Sequence, residues 1–279
     1  MKPALRETHW ETTMKVAGKI VVVTGGAKGI GQALCDRFHR EGARKVIVAD
    51  IDIANAEVVA TAIGGVAHRC DVTREADIKH VIDDTESKYG PIELFCSNAG
   101  AAMGFDMRTE NAAGAADEVW TFGWQLHVMA HVYAARALVP RMRGRGGGYF
   151  LQTISAAGLL SQVGSAVYST TKHAAIGFAE NLAITHRDDN IRVSMLCPQG
   201  VDTPLLRGLA AGPQSTDGIM SAAAVADAVI AGLDREAFLI LPHPEVAGYM
   251  QNKIGNYDRW IGGMAKVNRA ARERAKEKG

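Results

Sequence analysis

Apolar and polar positions follow two different periods along the chain. Runs rich in β-branched residues occur at 19–26 and 45–50, and between them Ile30, Leu34 and Phe38 recur at helical spacing. A short apolar run closed by glycine or a polar residue predicts a strand, whereas the longer period predicts an amphipathic helix. This part of the chain therefore predicts a strand, a helix and a second strand.

The same alternation continues far into the second half of the chain. Strands that are apolar on both faces and joined by helices are typical of a parallel sheet covered on each side. We therefore predict an α/β fold, a doubly wound (Rossmann) parallel sheet in a single domain with right-handed crossovers. Further strands are predicted at 66–70, 92–97, 148–155, 191–198 and 238–242, and further helices at 54–63, 74–89, 117–143 and 166–186.

Composition narrows the classes of function. Lysine and arginine number 31 against 30 acidic residues, which leaves no basic patch of the kind that nucleic acid requires. The four cysteines stand singly, which predicts reduced thiols in the cytoplasm. No apolar stretch approaches the ~18 residues of a membrane span, and residues 1–14 lack the apolar core of a signal peptide. We expect a cytoplasmic protein that binds a small-molecule substrate, without nucleic acid or membrane partners.

The segment TGGAKGIG, residues 24–31, lies where the first strand turns into the first helix. Glycine there lets the backbone approach a pyrophosphate, which the helix N-terminus attracts. A glycine turn without a ligand is the alternative, but Asp50 ends the second strand, where a carboxylate can accept both ribose hydroxyls of adenosine. Asp50 also repels a 2′-phosphate and favours NAD, whereas Lys28 could pair with that phosphate and favours NADP. Because Ile51 rather than an arginine follows Asp50, we give Asp50 the greater weight and expect NAD as the cofactor.

The segment YSTTKHAAIG, residues 168–177, places a phenol and an ammonium group four residues apart. On a helix, Tyr168 and Lys172 then lie over one another on one face. An isolated pair of this kind is commonly a buried tyrosine beside a surface lysine. Here Ser155, at the end of a predicted strand, precedes Tyr168 by thirteen residues, which favours a functional site over core packing.

The glycine turn, SNAG at 97–100 after the fourth strand, Ser155, Tyr168 and Lys172 together resemble the short-chain dehydrogenase/reductase family in its simple, single-domain form. The resemblance covers residues 19 to 241 and implies a seven-stranded parallel sheet with helices on both faces, in an assembly that is usually a homotetramer or a homodimer. It also implies a set of cofactor-binding residues. These are Gly25, Lys28, Gly29, Ile30, Gly31, Asp50, Asp71, Val72, Asn98, Ala99, Gly100, Tyr168, Lys172, Pro198, Gly200, Val201 and Thr203.

The resemblance gives catalytic roles to three side chains. Tyr168 would exchange a proton with the substrate oxygen as general acid/base, Ser155 would hold that oxygen, and Lys172 would hold the nicotinamide ribose. A free tyrosine titrates near ~10, so work near neutral pH requires its pKa to fall by about 3, which corresponds to about 4 kcal/mol. We expect Lys172 and the positive nicotinamide ring to lower the Tyr168 pKa by this amount.

One position departs from the family pattern. Counting back from ARALVPRM, residues 135–142, the active-site asparagine of the family falls on His127. That asparagine helps to hold a water that links the lysine to solvent, and an imidazole can donate and accept in the same place, so we interpret His127 as a catalytic relay residue. A helix histidine hydrogen-bonded to backbone is the alternative. His127 and His131 also have the spacing of a helical zinc pair, but Val128 stands where a metalloprotease has glutamate, so no metal is expected.

The substrate end of the site is expected to be apolar. Segment 204–221 mixes apolar residues with glycine, proline and serine, as a mobile lid would. No arginines cluster to bind a phosphate or a carboxylate, which favours an apolar secondary alcohol and its ketone. The candidate pocket residues, by the layout of the family, are Met103, Ala157, Leu160 and Val163.

An apolar stripe follows the last predicted strand and must be buried somewhere. It could pack against a neighbouring subunit, cover the substrate pocket or pack within its own subunit, and the sequence does not choose. We divide the chain into an N-terminal extension (1–17), a dinucleotide-binding catalytic domain (18–242) and a C-terminal helical extension (243–279). The stripe consists of Val246, Tyr249, Met250, Tyr257, Trp260, Ile261, Met264 and Val267.

These observations predict an oxidoreductase that transfers a hydride between NAD(H) and an apolar secondary alcohol or ketone, an NAD-dependent short-chain alcohol dehydrogenase or ketone reductase. The alternatives are an NADP-preferring ketone reductase, an enzyme of non-redox chemistry, and a catalytically silent NAD-binding sensor or scaffold protein of the same fold. The complete set of Ser155, Tyr168 and Lys172 disfavours the silent protein.

Overall fold

The computed structural model describes residues 14–107, 111–209 and 215–277. The strands within these residues are β1 (Ile20–Thr24), β2 (Lys45–Asp50), β3 (Val66–Arg69), β4 (Leu94–Ser97), β5 (Gly148–Thr153), β6 (Ile191–Leu196), β7 (Val201–Asp202), β8 (Met220–Ser221) and β9 (Leu239–Ile240). Seven of them form one parallel sheet in the order β3-β2-β1-β4-β5-β6-β9, and β7 pairs separately with β8.

Helices connect the strands and cover the sheet. The helix expected over 117–143 is interrupted by a π-helical turn, Gln125–Met129, which the apolar periodicity did not reveal. The helices are α1 (Gly29–Arg40), α2 (Ile53–Ala62), α3 (Glu75–Tyr89), α4 (Asp117–Trp124), α5 (Ala130–Gly144), α6 (Ala157–Leu160), α7 (Ala166–Thr185), α8 (Pro204–Arg207), α9 (Ala222–Leu233), α10 (Glu245–Gly255) and α11 (Tyr257–Glu277). No helix in the described ranges is both long and apolar enough to cross a membrane.

The apolar run of β1 shows why the sheet lies at the centre. Ile20 and Val22 pack with α3, α5 and α7 on one face, while Val21 and Val23 pack with α1, α2 and α9 on the other. Successive side chains of a strand point to opposite faces, so a strand buried on both faces must be apolar throughout. The prediction of a doubly wound, seven-stranded parallel sheet in a single domain is confirmed.

The carboxyl ends of β1, β4 and β5 lie side by side, because these strands are parallel neighbours. Asn98 ties the first two together: its backbone N–H donates to Thr24 Oγ1 (2.9 Å) and its Nδ2 donates to the Thr24 carbonyl oxygen (3.1 Å). The order of the strands reverses between β1 and β4, which is where a doubly wound sheet opens a crevice. The glycine turn, SNAG and Ser155 therefore meet at one edge of the sheet.

Candidate active site

The glycine turn between β1 and α1 folds back on itself. Gly25 and Gly29 have positive φ angles of 65° and 58°, which glycine adopts without steric cost. A Cβ on Gly31 would lie 1.9 Å from the Gly25 carbonyl oxygen, so this position admits only glycine. The side chain of Lys28, the N-cap residue of α1, makes no capping hydrogen bond, which leaves the first N–H groups of the helix available to an anion.

Asp50 is fixed directly behind this turn. Its Oδ2 accepts a hydrogen bond from the Ala27 backbone N–H (3.0 Å), and its Oδ1 accepts one from the Asp52 backbone N–H (3.0 Å). The competing cation of the turn, Lys28, has its own counter-charge, because its Nζ lies 3.8 Å from Asp52 Oδ2. Part of the attraction that Lys28 could offer to a 2′-phosphate is thus already neutralised.

A cleft of about 200 Å³ extends from the turn along the carboxyl edge of the sheet. Thr153, which the sequence did not single out, lines this cleft with a buried Oγ1 that has no hydrogen-bond partner among the described residues. An unpaired buried hydroxyl is costly, which fits a cleft that awaits a polar ligand. The predicted cofactor residues in the lining are Lys28, Gly29, Ile30, Gly31, Asn98, Ala99, Gly100, Tyr168, Lys172, Pro198, Val201 and Thr203.

The other five predicted cofactor residues lie outside this lining. Gly25 packs against Ala99, where a Cβ would come within 2.8 Å of Ala99 Cα. Asp71 Oδ1 accepts a hydrogen bond from the Thr73 backbone N–H (3.0 Å), which closes the turn after β3. The remaining three are Asp50, the buried Val72 and Gly200, whose carbonyl oxygen accepts a hydrogen bond from the Met220 backbone N–H at 3.0 Å.

The predicted catalytic side chains come together beside this cleft. Ser155 follows β5, and Tyr168 lies in the first turn of α7, where Ser165 caps the helix by accepting the Tyr168 backbone N–H (3.0 Å). Tyr168 and Ser155 line the same cleft, close enough for the serine side chain to favour the phenolate form of Tyr168. The Nζ of Lys172, one helical turn on, lies 5.6 Å from the centroid of the Tyr168 ring. The structure thus brings the three residues into one site.

The expectation that Lys172 lowers the Tyr168 pKa is not met by the chain alone. Burial raises the pKa of Tyr168 above its ordinary value, and the hydrogen bond from Ser155 opposes this only in part. The same burial lowers the pKa of Lys172 to about 8, because a dry site disfavours charge on both groups. Lowering the phenol pKa would therefore depend on a bound cofactor, and Tyr168 rests as the neutral acid.

Lys172 is an unusually buried ammonium group. Its side chain is 3 % exposed, and it forms no ion pair with a carboxylate anywhere in the described ranges. A Cβ placed on Gly100 would lie 3.8 Å from its Nζ, so the cation faces the SNAG end of the cleft. Buried charges are normally paired, and an unpaired one beside a polar cleft is suited to holding hydroxyl groups of a ligand.

The contacts of His127 bear on its predicted role as a relay residue, which stays a prediction. Its Nε2 lies 3.0 Å from the Ala101 carbonyl oxygen and its Nδ1 lies 2.9 Å from Thr171 Oγ1. A carbonyl only accepts, so Nε2 carries the hydrogen and Nδ1 accepts from Thr171. Burial lowers the His127 pKa to about 2, which keeps the ring neutral. With both nitrogens satisfied by protein atoms, the ring has no free atom for a water, and the geometry favours the alternative of a core histidine that supports the Tyr168 ring at 5.3 Å.

His131 does not join His127 in a metal site in this structure. It is buried, its Nδ1 has no partner among the described residues, and burial lowers its pKa to about 3. In the described ranges, no three histidine, cysteine or carboxylate side chains are grouped so that they could hold a metal ion.

Comparison with known proteins identifies the family. The model of the family described as short chain dehydrogenase matches residues 19–214. The chain therefore belongs to the short-chain dehydrogenase family. It is 33% identical over 249 residues to 1-deoxy-11-beta-hydroxypentalenate dehydrogenase of Streptomyces avermitilis, a match that covers 87% of this chain and 90% of that protein. It is 35% identical over 200 residues to the sex determination protein tasselseed-2 of Zea mays, and this match spans 69% of the present chain but 58% of the length of tasselseed-2.

Solved structures share the fold of this short-chain dehydrogenase. A short chain dehydrogenase/reductase from Burkholderia phymatum in complex with NAD superposes with a TM-score of 0.77, at 24% identity over 87% of this chain and 96% of that one. An L-sorbose reductase from Gluconobacter frateurii complexed with NADPH and L-sorbose superposes with a TM-score of 0.71, at 26% identity over 82% and 97% of the two chains. Since one of these proteins holds NAD and the other NADPH, the likeness leaves the choice of cofactor open.

A second, larger cavity of about 770 Å³ also adjoins the predicted catalytic side chains. Ser155 and Tyr168 line both the cleft and this cavity. Its walls are mostly apolar and include Ala157 and Leu160 of the predicted pocket. Met103 and Val163 are absent from the lining. The Met103 side chain packs against the core instead.

The C-terminal extension covers this cavity. Val246 is fully buried against Ala156 and Leu160, while other residues of α10 and α11 face the cavity. Part of the apolar stripe therefore covers the cavity, and we call this part of α10 and α11 the cavity roof. Another part packs within its own subunit, while Tyr257 and Ile261 are exposed. The lining residues from these two helices are Tyr249, Gln251, Asn252, Gly255, Asn256, Arg259, Trp260, Gly263, Met264 and Val267.

Phe105 is a cavity residue that sequence reasoning missed. Its ring lies 5.5 Å from the Tyr168 ring, on the wall of the larger cavity. It stands in the irregular segment between β4 and α4, where no periodicity marks it. The segment 204–221, expected to form a lid, contributes Leu205, Leu206, Leu209, Thr216 and Asp217 to the cavity lining. Residues 210–214 of that segment lie outside the described residues.

Proposed function

We propose that this short-chain dehydrogenase is an NAD-dependent oxidoreductase that interconverts a bulky, apolar secondary alcohol and its ketone. The observation that carries the proposal is the position of Ser155 and Tyr168. They form the boundary between a cleft with a polar, glycine-rich end and a mostly apolar cavity. A cofactor in the first and a substrate in the second would meet at the Tyr168 hydroxyl.

The proposed mechanism divides the work between cofactor and protein. When bound, the nicotinamide accepts or supplies the hydride. In the direction of reduction, Tyr168 gives its proton to the ketone oxygen while Ser155 holds that oxygen by a hydrogen bond. In the direction of oxidation, the proton of the alcohol returns to Tyr168. The buried Lys172 ammonium holds ribose hydroxyls of the bound cofactor.

The preference for NAD is supported by the charges around the turn. The Asp50 carboxylate is held by two backbone N–H groups at the adenosine end, where it would repel a 2′-phosphate. Lys28 is the cation nearest to that position in the turn, and Asp52 already pairs with it at 3.8 Å. We therefore rank NAD above NADP for this chain.

The class of substrate is supported by the cavity. A volume of about 770 Å³ lies in the upper part of the range for small-molecule pockets. Phe105, whose ring lies 5.5 Å from the Tyr168 ring, contributes to an apolar wall together with Ala157 and Leu160. A relative of similar length is named for its action on a hydroxypentalenate. An alicyclic or polycyclic alcohol fits these observations better than a short-chain one.

We further propose a cytoplasmic homotetramer or homodimer. The four cysteines are buried and unpaired, which suits a reducing compartment. Phe122 and Trp124 are exposed by 49% and 44% on α4, and exposed aromatic side chains are typical of surfaces that associate.

The test combines a cofactor panel with a matched pair of variants. Wild-type protein with NAD is expected to oxidise polycyclic secondary alcohols, followed as NADH absorbance, and to use NADP far less well. Tyr168→Phe should keep its affinity for NADH and lose at least about a hundredfold in turnover, since it removes the proton donor. Tyr133→Phe, which removes a hydroxyl bonded to Gln125 away from the cleft, should leave turnover unchanged.

Three results would contradict the proposal. Retained activity in Tyr168→Phe would remove that residue from the chemistry. Equal use of both cofactors would overturn the ranking of Asp50 over Lys28. Binding of NADH without turnover of any alcohol or ketone would favour the catalytically silent protein.

A further inference from the structure

Lys253, in the C-terminal helix α10, contacts both α6 and α7 on the side of the cavity where Ser155 and Tyr168 lie. The Lys253 Nζ, on α10, donates a hydrogen bond to the Leu159 carbonyl oxygen (2.7 Å) and lies 3.4 Å from His173 Nε2. His173 Nδ1 lies 2.8 Å from the Ser169 carbonyl oxygen and must donate to it. In the neutral ring Nε2 is then the acceptor, so Lys253 can donate to both partners at once.

One partner lies in a helix that directly follows a candidate catalytic residue, and the other lies in the helix that carries two of them. Leu159 lies in α6, which begins directly after Ser155 and Ala156. His173 is the residue after Lys172 in α7. Lys253 therefore connects α10 with both walls of the site.

The two halves of α10 are held differently. In the first half, Val246 is 0% exposed and packs with Tyr249, Met250 and Leu160 in an apolar cluster. In the second half, residues 251–255 line the cavity at several positions but have little apolar contact, and Ile254 is 72% exposed. In the part of the chain that the structure describes, the side-chain hydrogen bonds from 251–255 to other elements all start at Lys253.

We propose that Lys253 is a specificity-determining positioning residue, which fixes the second half of α10 over the cavity and thereby supports activity on bulky substrates. The inference rests on the proposed function, because it assumes that the substrate occupies the larger cavity. A substrate that fills the cavity contacts the roof as well as the Ser155 wall, so its binding depends on their separation. A small alcohol that contacts only the residues around Tyr168 does not depend on it.

The tie also predicts a dependence on pH. The groups that face His173 are the Lys253 ammonium from α10 and the Ser169 carbonyl from its own helix. Burial, ahead of the Lys253 charge, lowers the pKa of His173 below its ordinary value of 6.5. The ring is therefore neutral and accepting at neutral pH. As the pH falls below neutral, protonation of His173 removes the acceptor at Nε2 and places a second positive charge beside Lys253. The contact between Lys253 and His173 is thereby weakened.

The first experiment compares wild type with Lys253→Met, using cyclohexanol and a four-ring hydroxysteroid as substrates with NAD. Lys253→Met removes the hydrogen bonds that the charged Lys253 ammonium donates. We therefore expect the KM for the steroid to rise about tenfold, while kcat for the steroid and both kcat and KM for cyclohexanol stay within about twofold of wild type. Lys266→Met, which removes an exposed lysine of α11, is the matched control and should behave as wild type. Lys253→Arg, which keeps a cationic donor, should restore most of the steroid KM.

If the ratio of the steroid KM to the cyclohexanol KM were the same in Lys253→Met as in wild type, the inference would be overturned and the proposed function would remain intact. Hydrogen exchange of residues 245–255 gives a readout that does not depend on turnover. Exchange should be faster in Lys253→Met than in Lys266→Met, and equal exchange would overturn the inference even if neither alcohol were a substrate. Failure of wild type on every alcohol would instead count against the proposed function.

The second experiment uses His173→Gln, whose amide oxygen can accept from Lys253 but does not titrate. In wild type, the steroid KM should rise as the pH falls from 7 toward 5.5, while the cyclohexanol KM stays constant. In His173→Gln the rise should disappear. An equal rise in both proteins would show that another group is responsible and would overturn the part assigned to His173.

Discussion

At the scale of single residues, burial sets the charge state of the candidate catalytic groups. It raises the pKa of Tyr168 and lowers that of Lys172 to about 8. The Lys172 charge in turn helps to lower the pKa values of His127 and His131, after burial, the larger cause. An unpaired buried ammonium destabilises the folded chain. Its retention fits a group whose partner arrives with a ligand.

Replacing Lys172 by methionine should stabilise the protein without ligand while abolishing turnover. A lysine whose pKa is about 8 when folded and ~10.4 when unfolded costs about 3 kcal/mol at neutral pH. Between these two values the unfolded state binds more protons, so the stability of wild type should rise with pH, and the advantage of Lys172→Met should shrink from pH 8 upward. Chemical denaturation of both proteins from pH 7 to 9.5 measures this difference. A variant less stable than wild type at pH 7 would contradict it.

At the scale of elements, the site depends on where strands end. The turn after β1, SNAG after β4 and Ser155 after β5 lie together because these strands are parallel neighbours. The sharpest local constraint is Gly31, whose missing side chain lets the Gly25 carbonyl and the Asn98 amide pack against the first turn of α1. The turn, rather than any side chain in it, forms the proposed pyrophosphate site.

Gly31→Ala should therefore destroy cofactor binding. Its Cβ would lie 1.9 Å from the Gly25 carbonyl oxygen, and backbone must shift to admit it. We expect a loss of NADH affinity of at least about tenfold together with destabilisation, because overpacking costs about 1–3 kcal/mol. Gly177→Ala is the matched control: nothing lies within 4 Å of a Cβ there, and alanine in the helix should stabilise by up to about 1 kcal/mol. Titration of protein fluorescence with NADH checks both variants, and unchanged affinity in Gly31→Ala would contradict the assignment of the turn.

At the scale of the whole molecule, the larger cavity is assembled from segments far apart in the chain. Its walls combine Phe105, the α6 and α7 residues and the C-terminal helices α10 and α11. Lys253 and Leu159, which hold the roof to the wall, are 94 residues apart in sequence. Under the proposed function, the complete fold would therefore set the size of the substrate, whereas the proposed proton transfer would involve only α7 and its neighbours.

Filling the cavity from the roof should exclude bulky substrates selectively. Gly263 lines the cavity and Gly262 does not, and at both positions nothing lies within 4 Å of a Cβ. Gly263→Phe should lower kcat/KM for a four-ring alcohol by at least about tenfold, since steric discrimination in a pocket is worth about 1–3 kcal/mol. Gly262→Phe should leave it unchanged, and cyclohexanol should be oxidised normally by both. Equal effects of the two variants would place the substrate elsewhere.

Sequence alone determined what rests on short-range periodicity and spacing. The apolar run of β1 and the helical spacing of Leu34 and Phe38 predicted the doubly wound sheet, because an element must bury one face or both. The four-residue step from Tyr168 to Lys172 predicted that they share a helix face. Periodicity and residue spacing are local properties of the sequence, so they can be determined before the chain is folded.

Tertiary structure decided what depends on distant neighbours. Burial, and not the charge of Lys172, governs the Tyr168 pKa, because desolvation is a sum over every element packed around the site. The contacts of His127 with Ala101 and Thr171 favour a core histidine over a relay residue. The packing of α10 on α6 places part of the apolar stripe over the cavity. Periodicity marks which residues are buried, whereas only the three-dimensional arrangement determines what they are buried against.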